Sequence, residues 1–377
     1  MLKGIKVKIY PNQSQVQQIE QNIGNSRFVW NQMLNMWNSR YQNNPHARTF
    51  SKFDLNILLP TMKQEFEFLK KSEASSLQFV CETLHDSFVQ FFKKTRGYPM
   101  FKAKRKSKLS FTVKNNKNIE LKSTAIKLPK IGWVKARWST NLTFESIKRV
   151  TITRTRSGYY RVSVLVESEN QAIDKTGDQI GLDVGQSDLL VGSNGLRIST
   201  RKYKHYEHKL KSWQKKASRR MRLAKAKSIK LDDARNYQEA RRMVAKYHEK
   251  IRNCRRDYIH KVTKNLVSEY DLIAIEDIKV RDLLNMNNTR QNNQSLAHQS
   301  WYELRTMLEY KAQMYDKQLV LVDPAYTSQN CSNCRERTGP RNDLSIREWI
   351  CINCQVEHDR DISAGQNILK KALPSVS

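Results

Sequence analysis

The sequence predicts an α+β chain divided among several domains. Three observations lead there. Segments with the two-residue period of β-strands stand on either side of a block with helical periodicity. A long basic helix follows, and two Cys-x-x-Cys pairs near the end mark a small metal-binding module. With 377 residues there is material for two or three domains with cores of their own.

Residues 2 to 9, LKGIKVKI, alternate apolar and basic side chains with Ile5, Val7 and Ile9 on one face, and Pro11 ends this short strand. From Ser14 to Trp37, the residues Val16, Ile19, Ile23, Phe28, Val29, Met33 and Met36 fall mostly three to five apart, as in a helix packed on one face, with Gly24 a point where it can break. Leu77, Cys81, Leu84, Phe88 and Phe91 repeat the pattern over 74 to 93, so residues 12 to 95 are expected to be mostly helical. At Gly97 the texture changes to GYPMFKAKRKSKLSF, a proline-bent connector loaded with lysine. KRVTITRTRSGYYRVSVLVE then reads as a hairpin in which Val150 and Ile152 pair with Val162, Val164 and Val166 around a Ser157-Gly158 turn. A strand as short as residues 2 to 9 cannot form a sheet alone, so it is expected to join the strands of 110 to 167 in one barrel-like domain. Residues 201 to 256 are the most basic stretch, with Lys and Arg outnumbering acids by about four to one. Val244, Tyr247, Ile251, Cys254, Tyr258, Val262 and Leu266 define a long amphipathic helix there that runs to about Ser268. Its cationic face is either a solvated helix surface or a nucleic-acid contact.

A formal charge of +32 calls for a polyanionic partner, since it repels itself when the chain compacts and gains by releasing counterions from phosphate. Nucleic acid is the expected partner. A membrane surface is the rival, but the basic residues are spread along the chain and no apolar run reaches the roughly 18 residues of a membrane span. MLKGIKVKIYP lacks an apolar core of signal-peptide length, so a reducing compartment is expected, the cytosol or, in a eukaryote, the nucleus.

Cys331-Ser-Asn-Cys334 and Cys351-Ile-Asn-Cys354 are separated by sixteen residues, a spacing that suits a four-thiolate zinc ribbon. Disulfides or a redox pair are the other readings of the same thiols. Cys81 and Cys254 sit on apolar helical faces and read as core residues. A closed four-sulfur site has no open position for water, so it holds structure and hydrolyses nothing. The acids are a separate matter. GDQIGLDVGQSDLLVGSNGLRIS, residues 177 to 199, reads as strand, turn and strand with Asp183 in the middle of an apolar strand. YDLIAIEDI, residues 270 to 278, ends an apolar strand with Glu276 and Asp277, and HDRDISAGQNIL puts Asp359 and Asp361 just before a small-residue helix. Buried acids are costly unless paired or bound to metal. Each alone can be a strand-end cap, a turn former or a partner for lysine; together they suit divalent-metal phosphodiester hydrolysis, with Mg²⁺ bridged by carboxylates.

GLDVG, IAIEDI, DPAYTSQNCSNC with WICINC, and DRDISAGQNIL closely resemble the TnpB family, the OrfB proteins of insertion sequences. The likeness extends to the opening strand with its YPN, the GYPMFKAK connector, IGWVKAR, SGYY and AHQSWYELRTMLEYKA. That family consists of RNA-guided DNA nucleases regarded as ancestral to type V CRISPR effectors. The resemblance implies a RuvC-like, RNase H-type nuclease core over 174–329 and 356–372 with a zinc ribbon inserted at 330–355, and a wedge β-barrel of 1–10 and 110–173 split by a helical recognition domain at 11–109. It implies catalytic acids at Asp183, Glu276 and Asp361 holding two Mg²⁺ ions, and one structural zinc on Cys331, Cys334, Cys351 and Cys354. It further implies a transposon-derived guide RNA (reRNA or ωRNA), double-stranded target DNA beside a short adjacent motif, and a monomer within the ribonucleoprotein. A bacterial or archaeal cytoplasm, with nucleoid association, or a eukaryotic nucleus, is the implied location. A nuclease-inactive RNA-guided repressor and an effector whose guide comes from a CRISPR array are the alternatives. Three positions depart from the family pattern: Ser363 stands where Asn is usual, and Arg335 and Gln355 follow the cysteine pairs where Gly is usual, so each knuckle must strain its turn or adopt another.

By family position the helix carrying Ser76 and Gln78 is a candidate to read the adjacent motif, both residues being placed off the Leu77, Cys81, Leu84 stripe; plain solvent exposure is the alternative. Lys102, Lys104 and Arg105 are expected to meet phosphate, which positions without specifying sequence. Tyr98, Trp133 and Trp138 are either stacking platforms or barrel core.

Overall fold

The computed structural model describes residues 2–46, 48–114, 118–138, 145–169, 172–185, 188–278, 301–340 and 346–373. The chain divides into two units, Met1–Glu169 and Asn170–Ser377.

In the first unit β1 (Leu2–Tyr10) leads into α1 (Gln13–Asn43), α2 (Lys52–Glu65), a 3₁₀ turn (Glu67–Lys71) and α3 (Ala74–Phe92), and the strands resume with β2 (Ser110–Lys114), β3 (Glu120–Lys122), β4 (Ala125–Leu128), β5 (Gly132–Arg137), β6 (Ser146–Arg154) and β7 (Tyr160–Glu167). One seven-stranded sheet holds them all in the order β2-β6-β7-β1-β5-β4-β3. The first strand thus lies inside the sheet, antiparallel to β7 and β5, with Val7 and Ile9 buried. The β6–β7 register pairs Val150 with Val164, Ile152 with Val162 and Ile147 with Val166. The turn between them closes through Gly158, at φ 89°, whose amide donates to the Thr155 carbonyl.

Asn12 and Gln15 form a reciprocal capping box at the start of α1. The helix then runs through Gly24 without a break. A mid-helix glycine costs about 1 kcal/mol, and packing on both sides outweighs it. Ile19 and Ile23 join the core of the sheet, while Val29, Trp30, Met33, Leu34 and Trp37 pack with Leu55, Leu77, Cys81, Leu84 and Phe88 of α2 and α3. Cys81 is a core residue whose thiol burial pushes up to about 12.

The second unit contains β8 (Gln179–Asp183), β9 (Asp188–Gly192), β10 (Arg197–Ser199), α4 (Lys204–Ala226), α5 (Arg235–Glu269), β11 (Leu272–Glu276), α6 (Trp301–Tyr315), β12 (Gln318–Val322), β13 (Glu348–Ile350), β14 (Glu357–Asp359) and α7 (Arg360–Ala372). Five strands form a sheet in the order β10-β9-β8-β11-β12. The β10–β9–β8 ladder is antiparallel and the β8–β11–β12 ladder parallel, the latter requiring the helical crossovers that α5 and α6 supply. Ile259, Val262 and Leu266 of α5 and Leu304, Met307 and Leu308 of α6 pack with Ile180, Leu182, Ile273 and Ile275 of the sheet. Ile368 and Ala372 of α7 pack with Leu272, Ala274 and Val322, which alternate with that set and so face the other way. Asp183 is the last residue of β8 and not in mid-strand as the sequence suggested, because the strand ends there.

Helix α7 meets β8 backbone to backbone. A Cβ at Gly181 would overlap the Gly365 carbonyl oxygen and come within 2.6 Å of the Leu369 amide, and one at Gly365 would lie 2.9 Å from the Ser193 amide nitrogen. Neither site can yield cheaply, since the obstacles are main chain. Gly365→Ala should therefore destabilise the protein even though alanine is the better helix former by about 1 kcal/mol, and Gly181→Ala should cost about 2 kcal/mol or more. Thermal melts of the purified variants read this, and a melting temperature at or above that of the native chain in either variant would contradict the close approach.

Candidate functional site

Parallel pairing sets the first two acids side by side. Ile275 is opposite Leu182, so the last residues of two neighbouring strands, Asp183 and Glu276, come to the same end of the sheet. Asp361 arrives from the first turn of α7. Burial pushes Asp183 up to about 7, and the negative fields of Glu276 and Asp361 add to the effect. Burial also raises Glu276, against the Thr327 hydroxyl that donates to it at 2.5 Å. Asp361 is treated differently, since Arg347 Nη1 donates to both its oxygens at 3.1 and 3.2 Å.

The neighbouring acids take their plainer roles. Asp277 pairs with Arg305. Asp359 is the N-cap of α7, its Oδ1 accepting from the amides of Asp361 and Ile362 at 3.0 Å each. Three carboxylates offer hard oxygen donors, and burial disfavours the charged form of two of them, Asp183 and Glu276, a donor set that suits a divalent cation such as Mg²⁺. Thr327, Arg347 and Arg197 are polar neighbours of these acids that sequence reasoning missed. Thr327 lies in AYTSQNC just before the first thiol pair and Arg347 in REWIC just before the second, so position along the chain was the available signal.

Cys331, Cys334, Cys351 and Cys354 bring their sulfurs within 4.8 Å of one another. Two of the separations are 3.5 Å, for Cys331–Cys354, and 3.6 Å, for Cys334–Cys351. Disulfide sulfurs lie about 2.05 Å apart, whereas four sulfurs about 2.3 Å from a tetrahedral zinc stand roughly 3.8 Å apart. The spacing fits a structural metal such as zinc, and all four cysteines are free thiols. Each knuckle closes alike: Arg335 and Gln355 donate their amides to the Cys331 and Cys351 carbonyls, both at 2.9 Å. Both residues have positive φ, 69° and 58°, so the glycine-type turn is kept and strained. Strands β13 and β14 flank the second knuckle, with Trp349 opposite His358. His358 Nε2 lies 3.0 Å from Cys331 Sγ, a contact not anticipated from sequence. Asn367 of α7 donates to the carbonyls of Thr327 and Asn330 at 2.9 and 2.8 Å, fastening the helix to the approach of the first knuckle.

In the first unit the expected contacts fare unequally. Ser76 is fully buried and its hydroxyl donates to the Glu73 carbonyl at 2.7 Å, so it does not lie off the core stripe. Val80, one turn on, is buried too, and the stripe is wider than Leu77, Cys81 and Leu84 alone. Gln78 is exposed. The Lys102 ammonium sits 3.4 Å above the Trp30 ring, and burial lowers its pKa to about 8. Lys104 and Arg105 are exposed. Trp138 packs against the sheet core with its indole on the Lys122 carbonyl, while Trp133 is 37% exposed and Tyr98 46% exposed. The Tyr98 hydroxyl is held by Asn38 at 2.6 Å.

The strained knuckles give a test with a sign. Arg335→Gly and Gln355→Gly should each stabilise the metal-loaded ribbon, by about 0.5–1 kcal/mol after glycine's entropy is charged, while Gln355→Val should weaken it. Zinc retention against a graded chelator series measures this, together with one zinc per chain by elemental analysis. Weaker retention in both glycine variants would overturn the strain assignment.

Three family models match the chain: a helix-turn-helix domain of the IS605 OrfB group over residues 1–45, the IS605 OrfB model described as a probable transposase over 162–287, and the TNB domain of Cas12f1-like proteins over 301–368. The first of these stretches holds a strand and one continuous helix here. A solved Cas12f1–sgRNA–target DNA complex aligns over 98% of this chain and 99% of that one, at 15% identity and a TM-score of 0.33. InsQ of Escherichia coli K12, provisionally named an RNA-guided DNA endonuclease, is 29% identical over 98% of this chain and 92% of its own length. A Streptomyces pristinaespiralis protein with the same provisional name is 30% identical over 98% of this chain and 89% of its own. The chain accordingly belongs to the TnpB family, the OrfB proteins of insertion sequences.

Proposed function

We propose that the protein is an RNA-guided DNA endonuclease that hydrolyses phosphodiester bonds with divalent metal. The observation that carries the reading is the gathering of Asp183, Glu276 and Asp361 at one end of a five-stranded sheet, in a chain of charge +32. The strand order, three antiparallel and then two parallel, supports a RuvC-like, RNase H-type core over 174–329 and 356–372. The seven-stranded sheet interrupted by α1 to α3 supports a wedge domain of 1–10 and 110–173 around a helical recognition domain of 11–109. No helix among the described residues is long and apolar enough to cross a membrane.

Mg²⁺ bound by the three acids would activate a water and stabilise the leaving oxygen. The chain's own residues prepare that site. Asp183 and Glu276 must be ionised to hold a cation, and the Thr327 hydroxyl fixes which way Glu276 turns. Arg347 brings a positive charge to Asp361 at the site's rim. On α4 only Ala224 is buried, so the remaining face of this Lys- and Arg-rich helix offers charge to an RNA scaffold or heteroduplex. In this reading Cys331, Cys334, Cys351 and Cys354 hold zinc and build structure only. A right-flank transposon RNA supplies guide and scaffold to a single copy of the protein, which reads a short motif beside double-stranded target DNA.

Asp183→Ala should lower the DNA cleavage rate by on the order of 10³-fold or more, several kcal/mol in the barrier, while RNA-dependent DNA binding stays within about twofold. Cleavage by the reconstituted complex in Mg²⁺ and in EDTA, with binding measured in parallel, reads both. Sequencing the RNA that purifies with the protein tests the guide, and an RNA-free preparation that still cuts would sink the guided reading.

A further inference from the structure

Arg197, the first residue of β10, meets three acids at once. Its Nη2 is 2.5 Å from Asp359 Oδ2, and its Nη1 is 3.4 Å from Asp188 Oδ2 and 3.9 Å from Asp361 Oδ2. We propose that Arg197 is a positioning residue for the acidic site: it fixes the rotamer of the helix cap Asp359 and thereby the place from which Asp361 projects. The proposal rests on reading Asp183, Glu276 and Asp361 as the metal-binding acids.

Asp359 works with both oxygens. Oδ1 accepts the amides of Asp361 and Ile362, and Oδ2 takes the guanidinium. A carboxylate held by one oxygen turns about its χ2 bond with little resistance. Anchoring Oδ2 to the sheet edge removes that freedom and keeps Oδ1 pointed at the first turn of α7. The Arg fork suits the task, since it can engage Asp359 through one nitrogen and Asp188 through the other, which a single ammonium cannot do. Exposed ion pairs contribute little by themselves, and Arg197 is 42% exposed, so its importance would lie in placement and not in stability.

Charge and placement act with opposite sign here. Removing a cation beside carboxylates strengthens their hold on a divalent metal, whereas loosening Asp361 weakens it. Arg197→Ala, Arg197→Lys and Asp359→Asn should be made in the full chain. Two quantities should be read: the Mg²⁺ concentration for half-maximal cleavage by the RNA-loaded complex, and Mn²⁺ binding to the RNA-free chain by loss of the free-ion EPR signal, with Asp183→Ala as the blank. Placement requires Arg197→Ala to raise both values by about 10-fold or more, Asp359→Asn to move them the same way, and lysine to restore them only in part. Unchanged or lower values, or full rescue by lysine, would overturn it, as would a lowered melting temperature with unaltered metal dependence. If Asp183→Ala itself still cuts, the acid site is wrong and this inference falls with it. Should Asp183→Ala be inactive and Arg197→Ala bind metal normally, only the role of Arg197 is refuted.

Discussion

The contact between Gly181 and Gly365 governs the geometry of the second unit. With no side chain on either residue, α7 lies directly on the backbone of β8, and the approach is too close for even a methyl group. Asp183 lies two residues beyond Gly181, roughly 7 Å along a strand. Asp361 lies four residues before Gly365, about 6 Å along a helix. Both acids therefore stand one short step from the same point of contact, and a displacement of the helix by a single side chain would carry Asp361 away from Asp183 by a comparable distance. The parallel register of β8 and β11 contributes the third acid under an equally strict condition, because a slip of one residue would turn Glu276 to the opposite face.

Charge is distributed against the average of the chain. A protein of +32 could pair every acid with a nearby base, and Asp188, Asp277, Asp359 and Asp361 are so paired. Asp183 is held instead among carboxylates, and burial is the largest cause of its raised pKa. A distant excess of cations does not offset this, since exposed charges are screened within about 10 Å at ordinary ionic strength. The arrangement costs folding free energy, and a site of that kind is understandable where the charge is kept for a cation yet to bind.

What the sequence disclosed follows from how local each signal is. The β6–β7 register could be read because alternation and a Ser-Gly turn specify it within twenty residues, and the structure pairs those residues as the alternation suggests. The cysteine spacing was legible for the same reason, each knuckle being a tight turn. Non-local packing was not. The burial of Ser76, the seat of Lys102 on Trp30 and the continuity of α1 through Gly24 all depend on partners far along the chain. Nothing local to GLDVG sets Gly181 apart from other strand glycines, and only the helix laid upon it shows why no larger residue fits. Arg197, Thr327 and Arg347 belong to this class too, being unremarkable residue types whose role comes from what folds against them.

The thiol cluster and the acids are chemically distinct and mechanically joined. Soft thiolates suit zinc and hard carboxylates suit magnesium, so the two donor sets differ in the kind of metal each would favour. Between Cys354 and Asp361 lie only six residues, and the β13–β14 ladder fixes several of them by pairing Trp349 with His358 and Glu348 with Asp359. The Arg360 amide then donates to the Arg347 carbonyl at 2.7 Å, so Arg347, whose guanidinium donates to the Asp361 carboxylate, is placed by the same hairpin that delivers Asp361 to the helix. Strain at Arg335 and Gln355 belongs to this picture. A relaxed turn at the second knuckle would redirect the strand that leaves it, since Gln355 leads within two residues into β14. Keeping Gln355 in the left-handed region, at about 1–2 kcal/mol, preserves the direction of the chain as it enters the first turn of α7.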